Sequence, residues 1–86
     1  MIRKGILVFN HTDQEWRVWI GQTSYWIDMG YSFELRIQNR YFKAYLEKDI
    51  NWSVRLDRDV LFVLHTHEVY KIRVNVHHFI QLNAPF

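Results

Sequence analysis

The sequence predicts an all-β fold: a small, strongly bent antiparallel sheet of five or six strands, closing into an SH3-like barrel. Three observations predict it. Apolar and polar residues alternate with period two along much of the chain, as on strands with one face on a core and one in water. Turn-forming residues recur roughly every 8–12 positions, the spacing of a small barrel or sandwich. No stretch sustains a long helical period.

The elements follow in order. Residues 4–9, KGILVF, are almost continuously apolar, as in a strand covered on both faces. Around 16–20, Trp16, Val18 and Ile20 alternate with Arg17 and Trp19. In 33–38, Phe33, Leu35 and Ile37 alternate with Glu34, Arg36 and Gln38. Near 52–57, Trp52, Val54 and Leu56 alternate with Ser53, Arg55 and Asp57. In 70–76, Tyr70, Ile72, Val74 and Val76 alternate with Lys71, Arg73 and Asn75. Turn signals separate these runs at 10–14, 21–24, 29–30, 39–40, 48–51 and 57–59. The best helical candidate is 58–68, where Asp59 could cap a short turn. The predicted core is Ile6, Val8, Val18, Ile20, Phe33, Leu35, Ile37, Leu46, Val54, Leu56, Ile72 and Val74.

One hairpin register follows from the pattern alone. A two-residue turn at Asn39-Arg40 pairs Gln38 with Tyr41, Ile37 with Phe42, Arg36 with Lys43, Leu35 with Ala44 and Phe33 with Leu46. All apolar pairs then share one side, and a one-residue slip destroys that agreement. It also sets two cations, Arg36 and Lys43, directly opposite each other. Tyr41 and Tyr45 flank them, which makes the pair a candidate anion seat.

At 86 residues the chain makes one domain, spanning 1–86. It has no cysteine, which excludes disulfides and thiolate metal sites and fits a reducing, cytoplasmic compartment. No apolar run approaches the ~20 residues of a membrane span. The apolar run after the first basic pair is too short for a signal peptide. Asn10-His11-Thr12 and Asn51-Trp52-Ser53 match a glycosylation pattern, read as chance without a secretion signal. The formal net charge is +2, so nucleic-acid binding is permitted and not implied. Four Trp, five Tyr and six Phe are many for a small domain, and most are expected in its core.

The stretches RKGILVFN, EWRVWIG, YSFELRIQNRYFKAYLE, NWSVRLD and YKIRV resemble a small bacterial domain family of unknown function. Its members open with a Lys-Gly-x-Leu-x-Tyr/Phe-Asn strand and continue with a Phe-Glu-[Val/Leu]-Arg/Lys-Ile strand leading into a hairpin. The resemblance covers about residues 3–76. It implies an origin in Gram-positive bacteria or their mobile elements and a cytoplasmic location. It brings no catalytic or binding residue with it. The tail, VHHFIQLNAPF, is longer than the family pattern and its role stays open.

Candidate chemistry is sparse. Four of the five histidines fall within 64–79. His65, His67, Glu68 and one of His77 or His78 could form a ligand pool, yet the spacing matches no zinc motif. These histidines are read as loop or edge residues flanking a strand, with no metal and no cofactor expected. Gly5, Gly21 and Gly30 are too scattered for a phosphate cradle, and Ser24, Ser32 and Ser53 sit in no nucleophile elbow. Asp57 and Asp59 are turn residues. No enzyme activity is expected.

The polar face is richer. Arg17, Arg36, Lys43, Arg55 and Arg73 are predicted there, with Trp19, Tyr41 and Tyr45 among them. Such a surface suits a protein partner, because Trp, Tyr and Arg dominate binding hot spots. It also suits single-stranded nucleic acid, whose bases stack on rings and whose phosphates meet cations. A solvated face with cross-strand ion pairs through Glu34, Glu47 and Asp57 is the plain alternative. The function expected first is a non-enzymatic protein-interaction module; the second is a nucleic-acid-binding barrel. No membrane is expected as a partner, and the oligomeric state is open.

Overall fold

The computed structural model describes residues 2–27, 29–56 and 60–75. Every regular element in them is a strand: β1 (Ile2–Asn10), β2 (Glu15–Ile20), β3 (Thr23–Trp26), β4 (Ser32–Ile37), β5 (Arg40–Lys48), β6 (Trp52–Leu56), β7 (Val60–Val63) and β8 (Tyr70–Asn75). The all-β, antiparallel expectation holds. The helical candidate at 58–68 does not: its described part holds β7 and the loop that follows. The eight strands form one sheet in the order β3-β2-β1-β8-β4-β5-β6-β7. That is more than the five or six expected. The sheet is not closed, because β3 and β7 are its two ends, so the expected SH3-like barrel closure is absent among the described residues.

The sheet is nonetheless strongly bent. Phe9 on β1 and Trp52 on β6 are four strand steps apart, roughly 19 Å on a flat sheet. Their ring centroids lie 6.5 Å apart. Phe62 on β7 and Tyr70 on β8 likewise meet at 6.0 Å across the interior. The inner face therefore wraps one core: Leu7, Phe9, Trp16, Val18, Ile20, Ile27, Phe33, Leu35, Ala44, Leu46, Val54, Leu56, Leu64, Ile72 and Val74. The period-two pattern explains that membership, since each strand puts every second residue inside.

Two expectations about the core need correction. On β1 the faces are exchanged: Leu7 and Phe9 are buried, whereas Val8 is half-buried and Ile6 is 37% exposed. At Gly5 the backbones of β1 and β2 lie so close that a Cβ there would collide with the backbone oxygen of Trp19. Ile37 packs against the core without being fully buried.

The β4–β5 turn is Gln38-Asn39, not Asn39-Arg40. Ile37 faces Arg40, Arg36 faces Tyr41, Leu35 faces Phe42, Glu34 faces Lys43 and Phe33 faces Ala44. Gln38 adopts the left-handed φ of 59°. Arg36 braces the turn, donating from Nε to the Gln38 carbonyl at 3.0 Å and from Nη2 to Asn39 Oδ1 at 3.1 Å. At the β1–β2 turn Asn10 Oδ1 accepts bonds from the amides of Thr12 and Asp13, an Asx turn within the 10–14 turn expected from sequence.

Candidate functional site: the outer face of the sheet

Cross-strand partners point to the same side of a sheet, so the register fixes which residues share the outer face. Trp19 faces Ile6, and Ile6 faces Lys71. Lys4 faces Arg73, which faces Glu34, which faces Lys43. Ser32 faces Tyr45, and Tyr45 faces Arg55. Arg17 faces Trp26, and Arg36 faces Tyr41. All eight residues singled out from sequence, Arg17, Trp19, Arg36, Tyr41, Lys43, Tyr45, Arg55 and Arg73, thus lie on one face of one sheet. Among the described residues cations dominate it: Lys4 and Lys71 join the five predicted ones, against Glu15, Glu34 and Glu47.

Most of these charges are already engaged within the face. Arg73 Nη2 donates to Glu34 Oε2 at 2.9 Å, and its guanidinium lies 4.0 Å from the centre of the Tyr41 ring. Arg55 grips Glu47 through two hydrogen bonds of 2.8 and 3.2 Å. Those bonds hold the Glu47 carboxyl below its ordinary pKa, helped by the Arg55 charge and opposed by partial burial. Arg17 pairs with Asp13 at 3.1 Å and lies 4.2 Å over the Trp26 ring. Lys43 Nζ lies 5.6 Å from the Tyr45 ring. Arg36 and Lys43 are not opposite each other, so the expected two-cation seat does not form; Glu34 stands where Arg36 was expected.

Trp26, Lys4 and Lys71 belong to this surface and were not selected from the sequence. Lys71 was legible, since it alternates with Ile72 beside Arg73. Lys4 was hidden by a strand without alternation. Lys4, Ile6, Trp19, Arg36, Tyr41 and Lys71 line one concavity of about 400 Å³.

At one end of the core, His11 stacks on His67 with centroids 5.5 Å apart and planes inclined by 27°. His65 and His67 sit in the loop between β7 and β8, where the amide of His65 donates to Tyr70 Oη at 2.8 Å. Among the described residues, no three His, Cys, Asp or Glu side chains gather closely enough to hold a metal. His77, His78, Asp57, Asp59 and the tail lie outside the described residues.

No curated protein and no solved structure matches the chain. The sequence model of a family described as "Domain of unknown function (DUF5348)" matches residues 5–74, from the glycine that lets β1 approach β2 to the penultimate residue of β8. That span holds every residue of the outer face selected from sequence and all but Lys4 of the concavity. The chain therefore belongs to the DUF5348 family, which has no assigned function.

Proposed function

We propose that this domain is a non-enzymatic protein-interaction module that meets its partner through the outer face of the sheet. The observation that supports it best is the state of the rings and cations there. Tyr41 lies under Arg73, Trp26 under Arg17 and Tyr45 beside Lys43. Rings covered by the protein's own cations are poor platforms for stacking bases. Such cation–ring units form the rigid, amphipathic surface that protein interfaces favour. A bent small sheet is also a shape shared with SH3-like interaction domains, though shape alone assigns no function. The same proposal puts the protein in a bacterial cytoplasm, which its lack of cysteine supports.

The excess of cations on this face favours nucleic acid as the second reading. Photo-crosslinking separates the two. A photoreactive amino acid at position 45, expressed in the native host, should yield protein adducts that survive nuclease, and the same group at position 3 should not. Adducts that vanish with nuclease would replace the first reading by the second. Salt gives an independent check, because phosphate-driven affinity falls steeply as salt rises.

A further inference from the structure

Resting on that proposal, the concavity between Trp19 and Tyr41 carries a more specific one. Its cations differ from Arg17, Arg55 and Arg73, each of which is paired with a carboxylate. Lys4 and Lys71 have no carboxylate within salt-bridge distance among the described residues. Among the described residues, Arg36 bonds to neutral oxygens of its own turn and to no carboxylate. Among the described residues, no Asp or Glu lines the concavity.

The sheet also crowds these cations. Lys4 stands directly opposite Arg73, and Lys71 sits diagonally from Lys4 on the same strand pair. The β4–β8 register, continued one step from Leu35 and Ile72, sets Arg36 beside Lys71. Like charges so placed weaken a sheet. Beside the charges lie Ile6, 37% exposed, and Trp19, half-buried with no cation over its ring among the described residues.

We propose that this concavity seats an acidic segment of the protein partner, in which a carboxylate stands next to an aromatic or apolar side chain. The carboxylate enters between Lys4, Lys71 and Arg36 and relieves their mutual repulsion. The neighbouring side chain covers Trp19 and Ile6. A volume of about 400 Å³ has room for one such residue pair.

The test uses the full chain and three labelled probes of equal length at 150 mM salt: a random Glu-Tyr copolymer, polyglutamate and oligothymidylate. Fluorescence anisotropy should show the copolymer binding at least tenfold tighter than polyglutamate. Lys4→Glu/Lys71→Glu should lose at least tenfold of that affinity. Arg3→Glu/Arg40→Glu makes the same change in net charge on the opposite face of the strands and should stay within twofold of wild type. Circular dichroism checks that both double variants fold. Trp19→Leu should bring the copolymer down to the affinity of polyglutamate.

If both polypeptides bind equally and both double variants weaken them equally, the attraction is general and the seat is refuted, while the interaction reading still rests on the crosslinking result. No binding by any probe refutes the seat as well. If oligothymidylate binds tightest and Lys4→Glu/Lys71→Glu abolishes it, the seat and the protein-interaction reading both fall.

Discussion

Glu34 and Arg73, 39 residues apart in sequence, face each other across β4 and β8 and are joined by a 2.9 Å bond. The junction they span unites the two halves of the sheet, β3-β2-β1-β8 on one side and β4-β5-β6-β7 on the other. Glu34 also faces Lys43 and Arg73 faces Lys4, so this bonded pair sits in one cross-strand row with two further cations. Glu34→Gln should lower stability by roughly 0.3–1 kcal/mol, because the pair is partly exposed and water screens it. Urea melts should show the loss shrinking as salt rises. A loss as large as that of Leu35→Ala, about 2–4 kcal/mol for a fully buried side chain, would mean the bond is far less screened than its exposure implies.

Lys43→Glu should destabilise the domain. It would set two carboxylates face to face at positions 34 and 43, at a cost of a few tenths to ~1 kcal/mol. The hairpin register expected from sequence demands the opposite sign, since there the substitution would separate two cations. One pair of melts at low salt therefore decides between the registers.

The exchanged faces of β1 give a sharper contrast. Leu7 is fully buried and its neighbour Ile6 is not. Leu7→Ala should cost about 2–4 kcal/mol and Ile6→Ala under ~1 kcal/mol by denaturant melts. Reversal of that order would put the outer face of β1 inside.

Gly5→Ala should be damaging despite the small change in volume. The added methyl meets the backbone oxygen of Trp19, which cannot rotate away as a side-chain tip could. Forcing the strands apart should cost about 1–3 kcal/mol. Gly21→Ala meets nothing in space and should be limited to the strain of its φ of 62°.

Acid should reveal the Arg55–Glu47 pair. The folded pKa of Glu47 is depressed, so its contribution is present above the unfolded value, near 4.5, and is lost as pH falls through the lower folded value. The stability difference between wild type and Glu47→Gln should be constant near neutrality and should shrink as pH falls below 4.5. A difference that grows instead in acid would reverse the assigned direction of the shift.

Strands β2, β4, β6 and β8 were legible because each carries a polar residue between its apolar ones, and that alternation names the inner face. β1 offers no such marker: Ile6, Leu7, Val8 and Phe9 are all apolar, and either face could be inner. The hairpin shows a second limit. The expected and observed pairings of Leu35, with Ala44 and with Phe42, differ by two residues. A shift of two preserves every face, so the hydrophobic pattern is blind to it. Only turn chemistry separates the two registers, and Gln38 at positive φ gives little warning in sequence. β3 was hidden because Thr23 and Ser24 read as turn residues. The outer-face site survived the slip, since membership of a face needs only parity, but the neighbours within it did not, and the Arg36–Lys43 seat was lost with them.

The place of β8 has a consequence for how the molecule is made. β1 to β3 and β4 to β7 are two meanders of local hairpins, and β8 inserts between β1 and β4. Gly5 pairs with Ile72, so that insertion closes a loop of most of the chain. Loop closure of this kind is slow compared with hairpin formation. Both meanders precede β8 along the chain, so each leaves the ribosome with an open strand edge before β8 does. Birth of this protein therefore includes an interval in which β1 and β4 lie bare to any other strand, and it ends only when residues 70–75 leave the exit tunnel.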